Sequence, residues 1–534
     1  MKKGGGETLI LLRDAQSFAL MRFYMKILRL VNYLAILLTG LMMGCVQLVP
    51  HRNQAPTVSL KDTFKLEDEK SLVGYKPTCA SSNTGEVNVS LCGNQIREDA
   101  DDYRLYFTEY DDQGWSYQQG SKKEPSHIFS TELYQLLKDN SEEKVSVVVF
   151  VHGWKHNASA SDGNVKSFRL LLSDLDRVER QSACGRKGIK RRVIGVYVGW
   201  RGRTSDLGFL ENATFWNRKE AAQRVALGDV RMLFSDLREM QEKANVKWNS
   251  EVANVSSKMP EDKQAASLDP CAKRMKLSIA GHSFGGLIVY TSMAQSLVRD
   301  IVALKHDEIE QTNASSGQRV QPLLQRQGDL IVIINPAIEA TRFHPLFRAV
   351  QEANLPRYYS PVFVSITSKA DIATRRTFPV GRWLSTFWDK YPADRHDEEK
   401  QANLYTFGHA NNFVTHDLGV VARSKLPSDS HCKQWNKNEK FETKLNLEYA
   451  NLQGFHNGLN KNNALAITDR YFCGIEPMKL TARKEIEKWA GNSPIWNISA
   501  EESIIEDHND FMNYQLLELL RQLYAEVDQQ IIKK

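Results

Sequence analysis

Five short runs, almost wholly apolar, punctuate the middle of this chain: Val145–Val151, Arg192–Trp200, Met275–Ala280, Leu330–Ile334 and Pro361–Thr367. A strand with one wet face alternates polar and apolar side chains, whereas a strand apolar at successive positions needs cover on both faces. The segments between the runs carry helical spacing instead. Ser130-Thr131-Glu132 caps a short helix through Leu137, and Phe168–Val178, Phe215–Met240 and Gly285–Leu304 follow. A further strand within Pro494–Ile505 and a last helix over Asn513–Ile532, with Leu516, Leu517, Leu520, Leu523 and Val527 on one face, complete the alternation. Strand–helix alternation of this kind predicts an α/β fold with a mostly parallel central sheet and helices on both faces.

At 534 residues, 42% hydrophobic and 25% charged, the chain has enough apolar material for one large domain with insertions. That domain is expected over residues 101–534. Residues 45–100 are polar and read as a tether and N-terminal arm. Tyr103–Tyr117 carries a hairpin signal around Asp111-Asp112-Gln113-Gly114. Stretches near 200–215, 381–402 and 418–490 read as insertions, the last two irregular and charged, and 311–328 as a polar loop. Two apolar clusters sit in or beside the first two insertions: Leu207, Phe209, Leu210, Phe215 and Trp216, and Trp383, Leu384, Phe387, Trp388 and Tyr391. Either they form a cap over acyl chains or they pack against the core.

The first 44 residues stand apart. Met25-Lys26-Ile27-Leu28-Arg29 is basic, Leu30–Met43 is mostly apolar, and Gly44-Cys45 follows. This is the order of a secretory signal, starting cleanly at Met25, so the true start is expected near residue 25. A small residue before Cys resembles a bacterial lipoprotein processing box, although Met42 stands where Leu is usual. The resemblance implies lipidation of Cys45 and a membrane-anchored place in the cell envelope, periplasmic or outer-membrane. The alternative is a single N-terminal membrane anchor. Residues 1–44 hold six Lys/Arg against two acids, so they account for four of the six net positive charges. The basic balance is therefore no argument for nucleic-acid binding. Beyond Cys45 six Cys remain, and neighbour pairing gives 79–92, 184–271 and 432–473. None forms a Cys-x-x-Cys pair, so neither a metal nor a redox site is expected.

Gly281-His282-Ser283-Phe284-Gly285-Gly286 joins the third apolar run to a helix. A serine on a Gly-x-Ser-x-Gly turn between strand and helix is held exposed at the top of a sheet, where a base can reach it. The five-residue pattern arises by chance in about one chain in ten of this length, so its partners decide the reading. Acyl transfer by serine needs a base, an acid to orient it, and donors for the oxyanion. Asp371, in a turn just past the Pro361–Thr367 run, is the candidate acid, with Glu339 as its rival. His508, between the last strand and the last helix, is the candidate base. His416 is the alternative base, and His409 beside it is a further candidate or a pocket-lining residue. Phe284 N–H and a donor from His152-Gly153-Trp154, most simply Trp154 N–H, are the candidate oxyanion hole.

His152-Gly153-Trp154, the Gly281–Gly286 turn, Asp371 and His508 occur in the order that resembles an α/β-hydrolase fold serine hydrolase of the lipase/esterase kind. The resemblance covers residue 100 to the end, apart from the insertions. It implies a Ser-His-Asp triad cleaving a carboxylic ester through an acyl-enzyme, an ester or lipid substrate, and no cofactor. Two other classes compete with this reading. Ser283 replaces the second glycine of a dinucleotide-binding turn, which excludes that fingerprint. A non-catalytic envelope lipoprotein using the fold as a binding module remains the alternative.

Overall fold

The computed structural model describes residues 25–29, 31–33, 49–52, 96–117, 125–139, 143–182, 184–203, 214–251, 269–313, 328–355, 359–427, 430–434, 469–474, 476–484 and 486–526. The chain divides into a unit of Met1–Leu48 with Arg203–Phe215 and a unit of Val49–Gly202 with Trp216–Lys534. In the first, residues 25–29 and 31–33 are helical. Cys45, Cys79, Cys92, Leu207, Phe209 and Leu210 lie outside the described residues. The second unit carries an α/β fold.

Its strands are β1 (Arg97–Asp99), β2 (Tyr103–Tyr110), β3 (Val145–Val151), β4 (Arg192–Trp200), β5 (Met275–His282), β6 (Leu330–Ile334), β7 (Phe363–Ser368), β8 (His416–Val420), β9 (Asp469–Phe472), β10 (Met478–Ala482) and β11 (Ile495–Ala500). They form one sheet in the order β1-β2-β4-β3-β5-β6-β7-β11-β8-β10-β9. Every pairing from β2 to β8 is parallel, and the antiparallel pairs are confined to the two edges.

The principal helices are α1 (Pro125–Asp139), α2 (Gly163–Gln181), α3 (Phe215–Leu227), α4 (Val230–Ala244), α5 (Phe284–Asn313), α6 (Ala340–Ala353), α7 (Phe378–Ser385), α8 (His396–Leu404) and α9 (Tyr514–Glu526). On one face of the sheet Val148, Phe150, Val332, Ile334, Val364 and Ile366 share a core with Phe168 and Leu172 of α2 and Leu516, Leu519 and Leu523 of α9. The intervening Val147, Val149, Ile331 and Ile333 are buried as well, and α5 lies against β3, β5 and β6. Double cover explains why these strands are apolar at successive positions. α5 is also apolar enough over Phe284–His306 to cross a membrane by composition, yet half of that window is buried inside the protein.

Several elements depart from the sequence expectation. The long helix expected over Phe215–Met240 is two, α3 and α4, broken at Gly228-Asp229, where the Asp229 N–H donates to Gly114 O at 2.8 Å. The 111–114 turn thus docks into the break. Beyond that turn the hairpin is one bridge, Tyr110 to Ser116, because β2 already pairs in parallel with β4. Residues 381–402 are largely helical, in α7 and α8. The 418–490 stretch supplies sheet rather than pure insertion: β10 pairs antiparallel with both β8 and β9. The Cys432–Cys473 disulfide closes this edge, and Cys184–Cys271 joins the segment after α2 to the one before β5.

The described parts of the N-terminal arm, residues 49–52 and 96–100, are packed. Glu98 accepts from Arg52 Nη1 at 2.7 Å and from Arg169 Nε and Nη2 at 2.9 and 2.8 Å, all three buried. The Arg52 guanidinium also lies 3.6 Å from the centre of the Phe107 ring.

Candidate active site

Five parallel strands that neighbour one another in the sheet, β3, β5, β6, β7 and β11, end beside the candidate residues. His152 follows β3, Ser283 follows β5, Asn335 follows β6, Asp371 lies three residues past β7, and His508 lies in the loop after β11. The carboxyl ends of parallel strands are where open α/β sheets place their ligands.

Ser283 is held at φ +55°, a left-handed conformation that few residues other than glycine adopt. The turn is enforced by crowding. A Cβ on Gly285 would stand 2.0 Å from Val151 O, and one on Gly281 would stand 2.7 Å from Gly285. The β3 loop approaches just as closely: a Cβ on Gly153 would come 3.0 Å from Ser283 Cβ. Ser283 N–H donates to Ile334 O at 2.9 Å, which ties the elbow to β6.

His508 Nε2 lies 2.9 Å from Ser283 Oγ, and His508 Nδ1 lies 2.8 Å from Asp371 Oδ2. A carboxylate only accepts, so Nδ1 carries the proton and Nε2 is left to accept from the serine hydroxyl. Asp371 is fully buried. Burial alone would raise its pKa, but the hydrogen bond and charge of His508, then the hydroxyl and N–H of Thr374, outweigh that and hold it below the ordinary carboxylate value. Asp371 therefore stays ionised.

Behind the acid stands a second histidine. Thr374 Oγ1 donates to Asp371 Oδ2, and His409 Nε2 lies 2.9 Å from the same Oγ1. The threonine proton is committed to the carboxylate, so His409 Nε2–H donates to the threonine oxygen. Burial lowers the His409 pKa to about 4, which keeps its ring neutral near pH 7.

The loop bearing His508 is fixed by its own carbonyl groups. His508 O accepts from His282 Nε2 at 2.7 Å and from Asn335 Nδ2 at 2.9 Å, and Ile505 O accepts from Ser368 Oγ at 2.6 Å. The His282 ring stacks on Phe511 with centroids 4.4 Å apart. Burial, then the neighbouring His508, lower the His282 pKa to about 3. Asn335 takes a positive φ of 46° and accepts from Ser368 N at 2.9 Å, so one side chain links β6, β7 and the His508 loop.

His152 is structural. Its Nε2 accepts from Trp200 N at 3.0 Å, its Nδ1–H donates to Gly153 O at 2.8 Å, and its ring stacks on Trp200. Burial takes its pKa down to about 4. The result is a rigid platform under Gly153-Trp154, the segment that faces the elbow. Trp154 carries Lys155 Nζ 4.4 Å from its ring centre.

The alternative residues sit in other surroundings. His416 is buried in β8, hydrogen-bonded to Thr415 Oγ1 at 2.8 Å and 5.3 Å from the Trp496 ring, and burial drops its pKa to about 3. Glu339 is buried against Lys219, Arg342 and Arg382. Burial would raise its pKa, but Lys219 and then Arg342 bring it below the ordinary value.

Thr374, Asn335 and His282 escaped the sequence reading as positioning groups. Thr374 had a faint signal, since an Asp at the entry to a helical segment accepts from the N–H two or three residues on, as Asp371 does from Thr374 N at 3.0 Å. Among the described residues no cluster of His, Cys, Asp or Glu has the makings of a metal site.

A hydroxyl hydrogen-bonded to an imidazole, itself held by a buried carboxylate, is arranged to lose its proton as its oxygen forms a new bond. No protein-family model matches this chain, and no curated protein matches it in sequence.

Proposed function

We propose that this protein is a serine hydrolase of the α/β-hydrolase fold that cleaves carboxylic esters. The observation that carries the reading is the unbroken hydrogen-bonded chain from Ser283 through His508 to Asp371, with the serine at positive φ between a strand and a helix.

Ser283 Oγ attacks the acyl carbon while His508 Nε2 takes its proton. Asp371 holds the imidazole in the Nδ1–H tautomer and stabilises the imidazolium that forms. The oxyanion is received by the Phe284 and Trp154 N–H groups, the second brought near by Gly153. The intermediate collapses, His508 returns the proton to the leaving alcohol, and an acyl-enzyme remains. Water, deprotonated by His508, attacks the acyl carbon; the bond to Ser283 Oγ breaks, His508 gives its proton to that oxygen, and the acid leaves. Side chains, backbone and water suffice. An N-terminal lipid on Cys45 would hold the enzyme on a membrane of the cell envelope, within reach of lipid or small esters.

A fluorophosphonate probe is expected to label the wild-type protein and not Ser283→Ala. A wild-type protein that resists the probe and leaves p-nitrophenyl esters intact overturns the reading.

A further inference from the structure

We propose that residues 372–388 dock this protein on the surface of an anionic phospholipid bilayer. The segment begins one residue past Asp371, passes through a π-helical turn at Ala373–Thr377 and continues as α7. Its apolar periodicity is turned the wrong way round for a soluble protein. Val380, Trp383 and Leu384 recur at the spacing of one face of α7, Phe387 follows in the turn after it, and all four side chains are exposed. Leu384 is 67% exposed and Trp388, in the turn that follows, 87%. Ile372 is exposed at the other end.

The opposite face is the one that packs. Phe378 is fully buried with its ring 5.6 Å from Trp216, and Arg382 donates to Asn403 and pairs with Glu339 at 3.4 Å. The helix is therefore seated, and its outer face is not waiting to fold inward. Single exposed hydrophobic residues are ordinary, whereas six within seventeen positions form a patch that marks an interaction surface.

Composition names the partner. Two tryptophans, a phenylalanine and aliphatic residues exposed along a short helix and the turn after it, with arginines beside them, match a segment that lies in the plane of a membrane interface. Residues 372–388 hold Arg375, Arg376 and Arg382 and no acid. Arg375 and Arg376 are exposed and, among the described residues, pair with no carboxylate. Their charge complements anionic headgroups. A second copy is disfavoured by the same charge, because a two-fold contact through this face would set the arginines of each copy against those of the other.

The test uses the full-length protein and vesicles of brominated phosphatidylglycerol, whose bromines quench tryptophan emission at the depth of the rings. Wild type is expected to be quenched, and Trp383→Phe/Trp388→Phe is expected to lose at least half of the quenching while keeping its fold and its apolar surface. Brominated phosphatidylcholine vesicles, and Arg375→Ser/Arg376→Ser on the anionic ones, should each give less than half the wild-type signal. Equal quenching of wild type and the double Phe variant overturns the proposal, because the N-terminus alone then accounts for binding. Equal quenching by zwitterionic lipid overturns the anionic assignment. A concentration-dependent doubling of mass in sedimentation, abolished by Trp383→Ser/Trp388→Ser and without quenching, overturns it in favour of a second copy. The readout needs no turnover, so its failure is distinguishable from failure of the hydrolase reading.

Discussion

The two halves of the candidate site are held by different forces. On the nucleophile side, β5, the Gly281–Gly286 turn and the β3 loop meet through backbone contacts so close that a methyl group does not fit at 285. On the acid side, Asp371 is set by hydrogen bonds from His508 and Thr374, with His409 behind the threonine. Steric exclusion is all-or-none, whereas hydrogen bonds can be removed one at a time with graded loss. The first half should therefore break abruptly and the second should weaken in steps.

The largest effect tests the hinge between the halves. Ser283→Ala should lower ester turnover by about 10⁴- to 10⁶-fold, the scale of removing a triad member, with the thermal midpoint unchanged. Retention of more than a tenth of wild-type turnover would falsify the triad.

Gly285→Ala tests steric control. Its Cβ meets a backbone oxygen that cannot swing aside, so we expect a loss of about 3 kcal/mol in urea unfolding, at the upper end for overpacking, together with lost activity. An alanine variant of native stability would mean the crowding is not real.

Smaller steps are expected behind Asp371. Thr374→Val keeps the shape and removes one hydrogen bond to a charged group, worth about 1.5–3 kcal/mol, so kcat should fall by about 10- to 100-fold with KM little changed. His409→Gln should cost less, because it acts through the threonine. A His409→Gln variant slower than Thr374→Val would reverse that order and give His409 a direct role.

Stability should also depend on pH. His152, His282 and His409 have folded pKa values of about 4, 3 and 4, below the ordinary value near 6.5. The unfolded chain therefore binds protons first on acidification. The stability from keeping these rings neutral is fully present above about pH 6.5 and drains away as pH falls towards 4, by up to about 1.4 kcal/mol per unit for each histidine. Urea midpoints between pH 7 and 4.5 measure the slope, and His409→Gln should flatten it by one histidine's share. An unchanged slope would mean that His409 already protonates in the folded state.

The nucleophile side was the more legible in sequence, for a physical reason. Glycines that must be glycine, following an apolar run, leave a local signature. Asp371 and His508 were found by their place after strands and before the last helix, and the structure brings them together. The supports are long-range and leave no such trace. Asn335 reaches His508 O across 173 positions, and His282 does so across 226. β8, β9 and β10 were read as insertion because short strands near the end of the sheet, only partly buried along their length, need not be apolar on both faces. The break between α3 and α4 was hidden because it is made by the distant 111–114 turn. The aromatic residues after 380 were visible as a cluster, but their outward direction depends on which face of α7 meets Trp216.

The Cys432–Cys473 bridge has a consequence for covalent integrity. A single cut between these two cysteines would put Ser283 and Asp371 on one fragment and His508 on the other. The bridge would keep the fragments as one molecule, with the β8–β10 pairing and the His508 loop still seated. Such a nicked protein would run as one band without reductant and as two with it, and in the unreduced state both halves of the site would remain joined.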